Sequence, residues 1–463
     1  MTDLRGILEG WLYVPLRSIT DVGALKDRLT FRPIQLGDEP KQPIPLFDDS
    51  RPGYLGVPRE FGRAAFPRLA LDDRTVLGAA ITVPRLPDPN HPRVRDPQAQ
   101  AQFMGDLLVG VREHLSLCAM APTGSGKTVV ALAAAAQIGR RTLVLTHLER
   151  LMLQWKDEII DKLGVPAERV GIVQQGRHDW LGKDFCVGLL HSVVRRDYGE
   201  AFYRAFGTVI FDEVHKVGTE FFAPAVTKFP ARYKIGLSAT PTRKDGGERV
   251  FYWHLGPIKV TSEAEALPAK VYVVPFRLRK DQIWGTKHGP LIKGLTKIRE
   301  RNALLVSFVK KFYQEGRNGL VVSESIDHLQ TLMLLAERAG VPRSVMGQFT
   351  ASRHEPREDG TIRAVKVTKA ELDRVKQDSR IIFATYGMFT EGIDVPRLDA
   401  GLDATPRSAA TQLIGRIRRP LPGKRMPIWI TLRDEGSGTL KSYFRNRRRD
   451  YLASGAEVVD HGT

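Results

Sequence analysis

Seven short apolar runs, rich in β-branched residues, recur along the chain with helical stretches between them: TLVLT at 142, FCVGLL at 185, TVIFDE at 208, KIGLSAT at 234, GLVVSE at 319, RIIFAT at 380 and PIWITL at 427. A strand that is apolar throughout, rather than at alternate positions, is buried on both faces. Such strands alternating with helices form parallel sheets covered on both sides. The expected fold class is therefore α/β. At 463 residues the chain is too long for one hydrophobic core, and the runs fall into two groups with a break near 255 to 275, after WHLGPIKV. Two tandem parallel-sheet domains are expected, at 93–262 and 263–463. Prolines at 84, 87, 89, 92 and 97 break regular structure and favour an extended connector. Upstream of it, residues 1–92 mix short apolar runs (GWLYVPL, PIPLF, YLGVP) with turn signals, which reads as a small N-terminal accessory domain and its linker, without a catalytic motif.

Lys plus Arg outnumber Asp plus Glu by 70 to 52, a formal +18. A surplus of that size suggests a polyanionic partner such as nucleic acid. Two cysteines, Cys118 and Cys186, supply neither a disulfide framework nor a zinc cluster and read as packing residues of a reducing compartment. No stretch approaches the roughly 20 apolar residues of a membrane span. The N-terminus MTDLRGILEG carries Asp3 and Glu9 instead of a basic flank with an apolar core. A cytoplasmic protein, of a bacterium or a phage-infected host, with no membrane partner is expected.

Residues 121–128 read APTGSGKT, the phosphate-loop pattern with Ala121 in place of the first glycine. Small residues across Ala121, Pro122, Thr123, Gly124, Ser125 and Gly126 let backbone N–H groups wrap a phosphate, and the following VVALAAAAQIG helix points its positive end at the same anion. Lys127 then reaches the β- and γ-phosphates, and Thr128 ligates Mg²⁺. About 85 residues later TVIFDEVHK ends an apolar strand on two carboxylates. Asp212 can hold Mg²⁺ through water, and Glu213 is placed to orient and deprotonate an attacking water. In KIGLSATPTRKDG, Ser238 and Thr240 follow another buried strand and could hydrogen-bond the Asp212–His215 segment to sense nucleotide state, or could simply form a turn. FATYGMFTEGIDVP (383–396) and QLIGRIRRP (412–420) follow in the second half. A helix over the latter would place Gln412, Arg416 and Arg419 on one face, where arginines can stabilise charge on a transferring phosphoryl group.

Taken in order, APTGSGKT, TLVLTHLERLMLQW, FDEVHK, GLSATPTRKDG, TEGIDVP and QLIGRIRRP resemble motifs I, Ia, II, III, V and VI of superfamily 2 helicases over roughly residues 93–420. The histidine of DEVH and the RKDG tail are most similar to the XPB-like and phage UvsW-like DNA helicases. The resemblance implies two tandem RecA-like domains that use ATP and Mg²⁺. It implies motion on DNA (single-stranded, forked or branched), with replication or recombination proteins as possible partners. It further implies that Gln412, Arg416 and Arg419 complete the ATP site from the second domain, that Gly392 and Asp394 lie beside the nucleotide, and that His215, Ser238 and Thr240 couple hydrolysis to movement. Gln98 matches the adenine-reading glutamine of the family, with Gln100 the competing candidate. Thr146, His147, His191, Ser192, Ser323 and Thr385 occupy phosphate-holding positions, where a hydroxyl could equally cap its own backbone. Trp155 reads as core rather than as a base-stacking platform, and Arg445 and Arg447 to Arg449 of FRNRRRDY read as a phosphate contact or a solvated face. The rival readings are an RNA helicase and the motor subunit of a restriction or defence complex.

Overall fold

The structure is a computed structural model and describes residues 5–34, 42–88, 97–121, 126–216, 219–239, 246–261, 267–283, 285, 287–356, 362–392, 395–408 and 411–460. The chain divides into two compact units, Met1–Ala264 and Glu265–Thr463. Each is built on a parallel sheet, as the apolar runs require.

The first unit opens with a small sheet of its own. Strands β1 (Gly6–Leu8), β2 (Leu12–Pro15), β3 (Tyr54–Val57) and β4 (Leu71–Asp73) lie in the order β3-β2-β1-β4. Leu8, Leu12, Val14, Leu55 and Val57 form its core with Phe61. The main sheet contains β5 (Ser116–Met120), β6 (Thr142–Thr146), β7 (Val170–Gln174), β8 (Phe185–Leu189), β9 (Thr208–Phe211), β10 (Tyr233–Ser238) and β11 (Ile258–Thr261), in the order β7-β8-β6-β9-β10-β5-β11. All six pairings are parallel, and a short antiparallel strand, Arg177–His178, covers the β7 edge. Both faces are buried: Ile210, Ile235 and Val144 belong to one apolar cluster, Val209, Leu143 and Cys186 to the other. Cys118 and Cys186 are buried free thiols within this sheet.

The segment before residue 93 does not stand apart from the main sheet. Phe31 and Leu46 belong to the same apolar cluster as Phe222, Val250 and Phe251. The described part of the stretch expected as an extended connector is stitched down, with Ile81 N–H donating to Gly139 O and Arg85 N–H to Leu163 O, and just upstream Val76 N–H donates to Pro230 O. Lys234, on β10, is fully buried, its ammonium donating to Val226 O at 2.8 Å and to Gly10 O of the N-terminal segment at 3.4 Å. Burial drives that ammonium well below its ordinary pKa.

The second unit holds β12 (Lys270–Arg277), β13 (Gly319–Ser323), β14 (Met346–Phe349), β15 (Ile381–Thr385), β16 (Ala400–Asp403), β17 (Ile428–Glu435) and β18 (Glu457–Asp460). They are parallel throughout, in the order β14-β15-β13-β16-β17-β12-β18. A buried ion pair ties the sheet to a crossover helix. Arg301, from the Arg299–Gln314 helix, donates through Nε to Asp434 Oδ1 at 2.8 Å and through Nη2 to Oδ2 at 3.0 Å, while Nη1 reaches Ala404 O at 2.6 Å. Removing one partner of such a pair strands the other charge, at a cost of about 3–5 kcal/mol. Arg301→Ala is expected to lower the melting temperature of the second unit markedly in calorimetry, and Arg301→Ala/Asp434→Leu to recover part of the loss.

Candidate functional site

Three neighbouring strands of the first unit bring the sequence motifs together. β9, β10 and β5 are adjacent and parallel, so their C-terminal ends carry Asp212, Ser238 and Ala121 to one edge of the sheet, where open α/β sheets form their ligand sites. Two backbone bonds fix this edge: Ala121 N–H donates to Ser238 O and Asp212 N–H to Leu145 O, each at 3.0 Å. Gly126, at φ +87°, precedes the Lys127–Ile138 helix in the left-handed region that favours glycine, and a Cβ added there would stand 2.0 Å from Gln100 Nε2.

Lys127 is 8% exposed, and its ammonium donates to Ala121 O at 2.9 Å and lies 3.7 Å from Glu213 Oε1. Glu213 Oε2 is 3.3 Å from His215 Nδ1, and the same nitrogen is 3.0 Å from Ser238 Oγ. An unbroken chain of contacts thus runs Lys127, Glu213, His215, Ser238. Glu213 is one of three described non-glycine residues with positive φ, at +49°. That conformation costs on the order of 1–3 kcal/mol and persists only where the surroundings impose it. Asp212 is 7% exposed, and its Oδ2 accepts from the indole Nε1 of Trp155 at 2.8 Å. Burial and the adjacent Glu213 carboxylate push the Asp212 carboxyl up to about 6, against the opposing pull of the indole and Lys127.

Trp155 is the site residue that reading by residue type misses. It is fully buried, as a core tryptophan should be, yet its single donor points at the carboxylate. The available signal was that a buried indole N–H needs an acceptor. Gln98 is exposed, whereas Gln100 lies against Gly126, so the structure puts the competing glutamine at the loop. Pro122, Thr123, Gly124, Ser125, Thr240 and Asp394 lie outside the described residues. Thr128 follows Lys127 in the first turn of the helix and is half-buried.

In the second unit the helix over QLIGRIRRP spans Thr411–Ile417 and stops short of Arg419. Pro420 disfavours helical backbone at the residue before it, so Arg419 lies beyond the helix end instead of on a shared face with Arg416. Arg416 packs its guanidinium over the Phe389 ring at 5.5 Å, and both arginines are mostly buried. Gly392 closes the Tyr386–Gly392 helix and Gln412 lies in the first turn of the Thr411–Ile417 helix, its side chain outside the described residues.

The six phosphate-holding candidates divide. Three hydroxyls face inward: Thr146 Oγ1 donates to Leu148 O, Ser192 Oγ accepts from Gln175 N–H, and Ser323 Oγ pairs with His328 Nδ1. His147, His191 and Thr385 are half-buried, and His191 packs on Phe221 with ring centroids 4.5 Å apart. Arg447 is buried, 3.5 Å from Asp403 and donating to Arg407 O and Leu432 O, and Arg448 pairs with Asp460 at 2.9 Å. Of the four FRNRRRDY arginines, Arg445 and Arg449 are exposed.

Residues 93–243 match the family described as Type III restriction enzyme, res subunit. A relative from Acanthamoeba polyphaga mimivirus, bearing the name of an ATP-dependent RNA helicase, is 25% identical over 94% of this chain and 83% of its own. By these matches the chain is similar to superfamily 2 helicases. A relative from Haloarcula marismortui, bearing the name of a DNA 3'-5' helicase, is 25% identical over 72% of this chain and about half (52%) of its own length. The structure of a fragment of an HsdR subunit of a type I restriction enzyme from Vibrio vulnificus aligns with 81% of this chain and 72% of its own at a TM-score of 0.52 and 18% identity, a likeness of fold. Among the described residues no helix is long and apolar enough to cross a membrane.

Proposed function

We propose that the chain is an ATP-driven motor that moves on and remodels DNA, with forked or branched DNA as substrate. The observation that carries this is the Lys127–Glu213–His215–Ser238 chain beside Asp212, because it joins the phosphate loop, the acid pair and the coupling strand into one polar unit. Hard oxygen donors suit Mg²⁺, and a buried carboxylate next to a helix N-terminus and a lysine suits a magnesium nucleotide. Thr128 and Asp212 would hold the ion, which supplies neutralisation of phosphate charge.

Lys127 would hold the phosphates and Glu213 would accept a proton from the attacking water. In the structure these two groups form an ion pair 3.7 Å apart. A phosphate that draws Lys127 away would release the Glu213 carboxylate to act as a base, so the ion pair keeps the site quiet until nucleotide arrives. His215 and Ser238 would then pass the change at Glu213 to the strand end. Arg416 and Arg419 are assigned to the γ-phosphate from the second unit, and replication or recombination proteins to the partners of a cytoplasmic enzyme.

Turnover measured with single-stranded DNA, forked DNA, RNA and no nucleic acid tests this reading. Strong stimulation by DNA, with displacement of a labelled strand from a fork, is expected. Turnover indifferent to nucleic acid would defeat it. The mimivirus relative, which aligns along most of this chain and carries an RNA helicase name, favours RNA as the second reading, and larger stimulation by RNA would select it.

Trp155→Phe keeps the ring and removes the donor to Asp212. A hydrogen bond to a charged group contributes about 1.5–3 kcal/mol, so the carboxylate should lose its fixed orientation. The expected result is a 10-fold or larger weakening of the Mg²⁺ dependence of nucleotide affinity, with affinity in chelator unchanged. Equal Mg²⁺ dependence in the two proteins would leave Trp155 as packing alone.

A further inference from the structure

The basic surplus is not spread evenly. Residues 1–92 hold twelve Lys and Arg against twelve Asp and Glu, whereas residues 263–463 hold 35 against 23. Half of that second surplus falls within residues 277–299, where seven Lys and Arg meet one carboxylate, Asp281.

The described residues of this stretch form an amphipathic lobe. Leu291, Ile292, Leu295 and Ile298 pack with Leu278 and with Leu440 of the Gly438–Ala453 helix, leaving Lys293 and Lys297 exposed on the opposite side. His288 pins the lobe in place. Its Nδ1 is 3.0 Å from Tyr443 Oη and its Nε2 is 2.8 Å from Glu324 Oε2, while Arg407 Nε donates to Glu324 Oε1 at 2.8 Å. Glu324 directly follows Ser323 at the C-terminal end of β13, so the lobe stands at the edge of the second sheet where ligand sites form.

The neighbouring Gly438–Ala453 helix repeats the arrangement. Leu440, Phe444, Arg447 and Tyr451 are buried, and Lys441, Arg445 and Arg449 stand four residues apart on the exposed side. Like charges at that spacing repel and destabilise a helix. Among the described residues Lys293, Lys441 and Arg445 form no ion pair that would offset the repulsion. A polyanion laid across both elements would.

We infer that the 277–299 lobe and the Lys441–Arg445–Arg449 face form a contact for the phosphate backbone of nucleic acid outside the family motifs. The inference rests on the nucleic-acid function proposed above and adds where the second unit grips. Lysine and arginine on flexible stems hold phosphates without reading bases, so the contact is expected to be indifferent to sequence.

Anisotropy of a labelled single-stranded oligonucleotide across a salt series tests it, with the full chain and Lys293→Gln/Lys297→Gln/Lys441→Gln/Arg445→Gln compared. Each lost contact lowers the slope of log K against log salt by about 0.7, so the slope should fall by roughly 3 at an unchanged melting temperature. In the unsubstituted chain, bound oligonucleotide should also protect Lys293 and Lys297 from amine acetylation. An unchanged slope, or acetylation indifferent to oligonucleotide, overturns the lobe as a contact. If the unsubstituted chain binds no oligonucleotide, the nucleic-acid reading itself falls. Binding by the parent with an unaltered slope in the variant rejects the lobe alone.

Discussion

Glu213→Gln is expected to stop turnover while nucleotide stays bound. The amide matches the carboxylate in size but cannot accept a proton from water, and loss of a positioned general base typically costs about 10²–10⁴-fold in rate. Two features of this site add to the expectation. Glu213 is the acidic neighbour of Lys127, so the amide removes a counter-charge that competes with phosphate, and nucleotide affinity should rise or hold instead of falling. Asp212 keeps its bond to Trp155 and loses only the neighbouring carboxylate that raises its pKa, so the proposed Mg²⁺ donor stays in place and ionised. Single-turnover hydrolysis and binding of a fluorescent nucleotide, measured on one preparation, check both halves. Turnover near the parent rate would remove Glu213 as the base, and a large loss of affinity would mean that its carboxylate holds the loop together.

Much of this site was legible in the sequence because the chemistry confines residue types to fixed spacings. A phosphate loop needs small residues and a lysine at set positions, and an acid pair must end a buried strand, so 121–128 and 208–213 stand out in order. The fold was legible where strands are β-branched and buried on both sides, as at Thr142–Thr146 and Ile381–Thr385. Met346–Phe349, with the sequence MGQF, gives no such signal. It is an edge strand held by one neighbour, and pairing rather than composition makes it a strand.

What the sequence concealed are contacts between residues far apart in the chain. Trp155 and Asp212 are 57 positions apart, and nothing in either run announces their bond. Arg447 is a different case, because the signal was present. Leu440, Phe444, Arg447 and Tyr451 recur at helical spacing, which places the arginine on the apolar stripe of its helix and removes it from the solvent side. Charge alone does not divide the FRNRRRDY run, whereas helical periodicity does.

Removing residues 1–85 is expected to unfold the first unit rather than merely detach an accessory domain. By sequence the segment carries no chemistry, and on that ground its loss should spare hydrolysis. The packing points the other way. Phe31 and Leu46 sit in the core of the main sheet, Ile81 and Val83 pack on the opposite core, and Phe61 meets Trp253 with ring centroids 5.2 Å apart. Re-exposing large apolar side chains costs about 1.5–3 kcal/mol each, so losing these contacts consumes most of a stability of roughly 5–15 kcal/mol. The polar cost is added to this. Arg59 would no longer donate to Ala231 O, and the Lys234 ammonium, held in the neutral-favouring interior, would lose Gly10 O. Thermal melting followed by circular dichroism, on the full chain and on residues 86–463, checks the prediction. An insoluble product or a melting temperature lowered by tens of degrees is expected. A truncated chain that melts cooperatively at the parent temperature and still hydrolyses nucleotide would show the segment to be dispensable and separable.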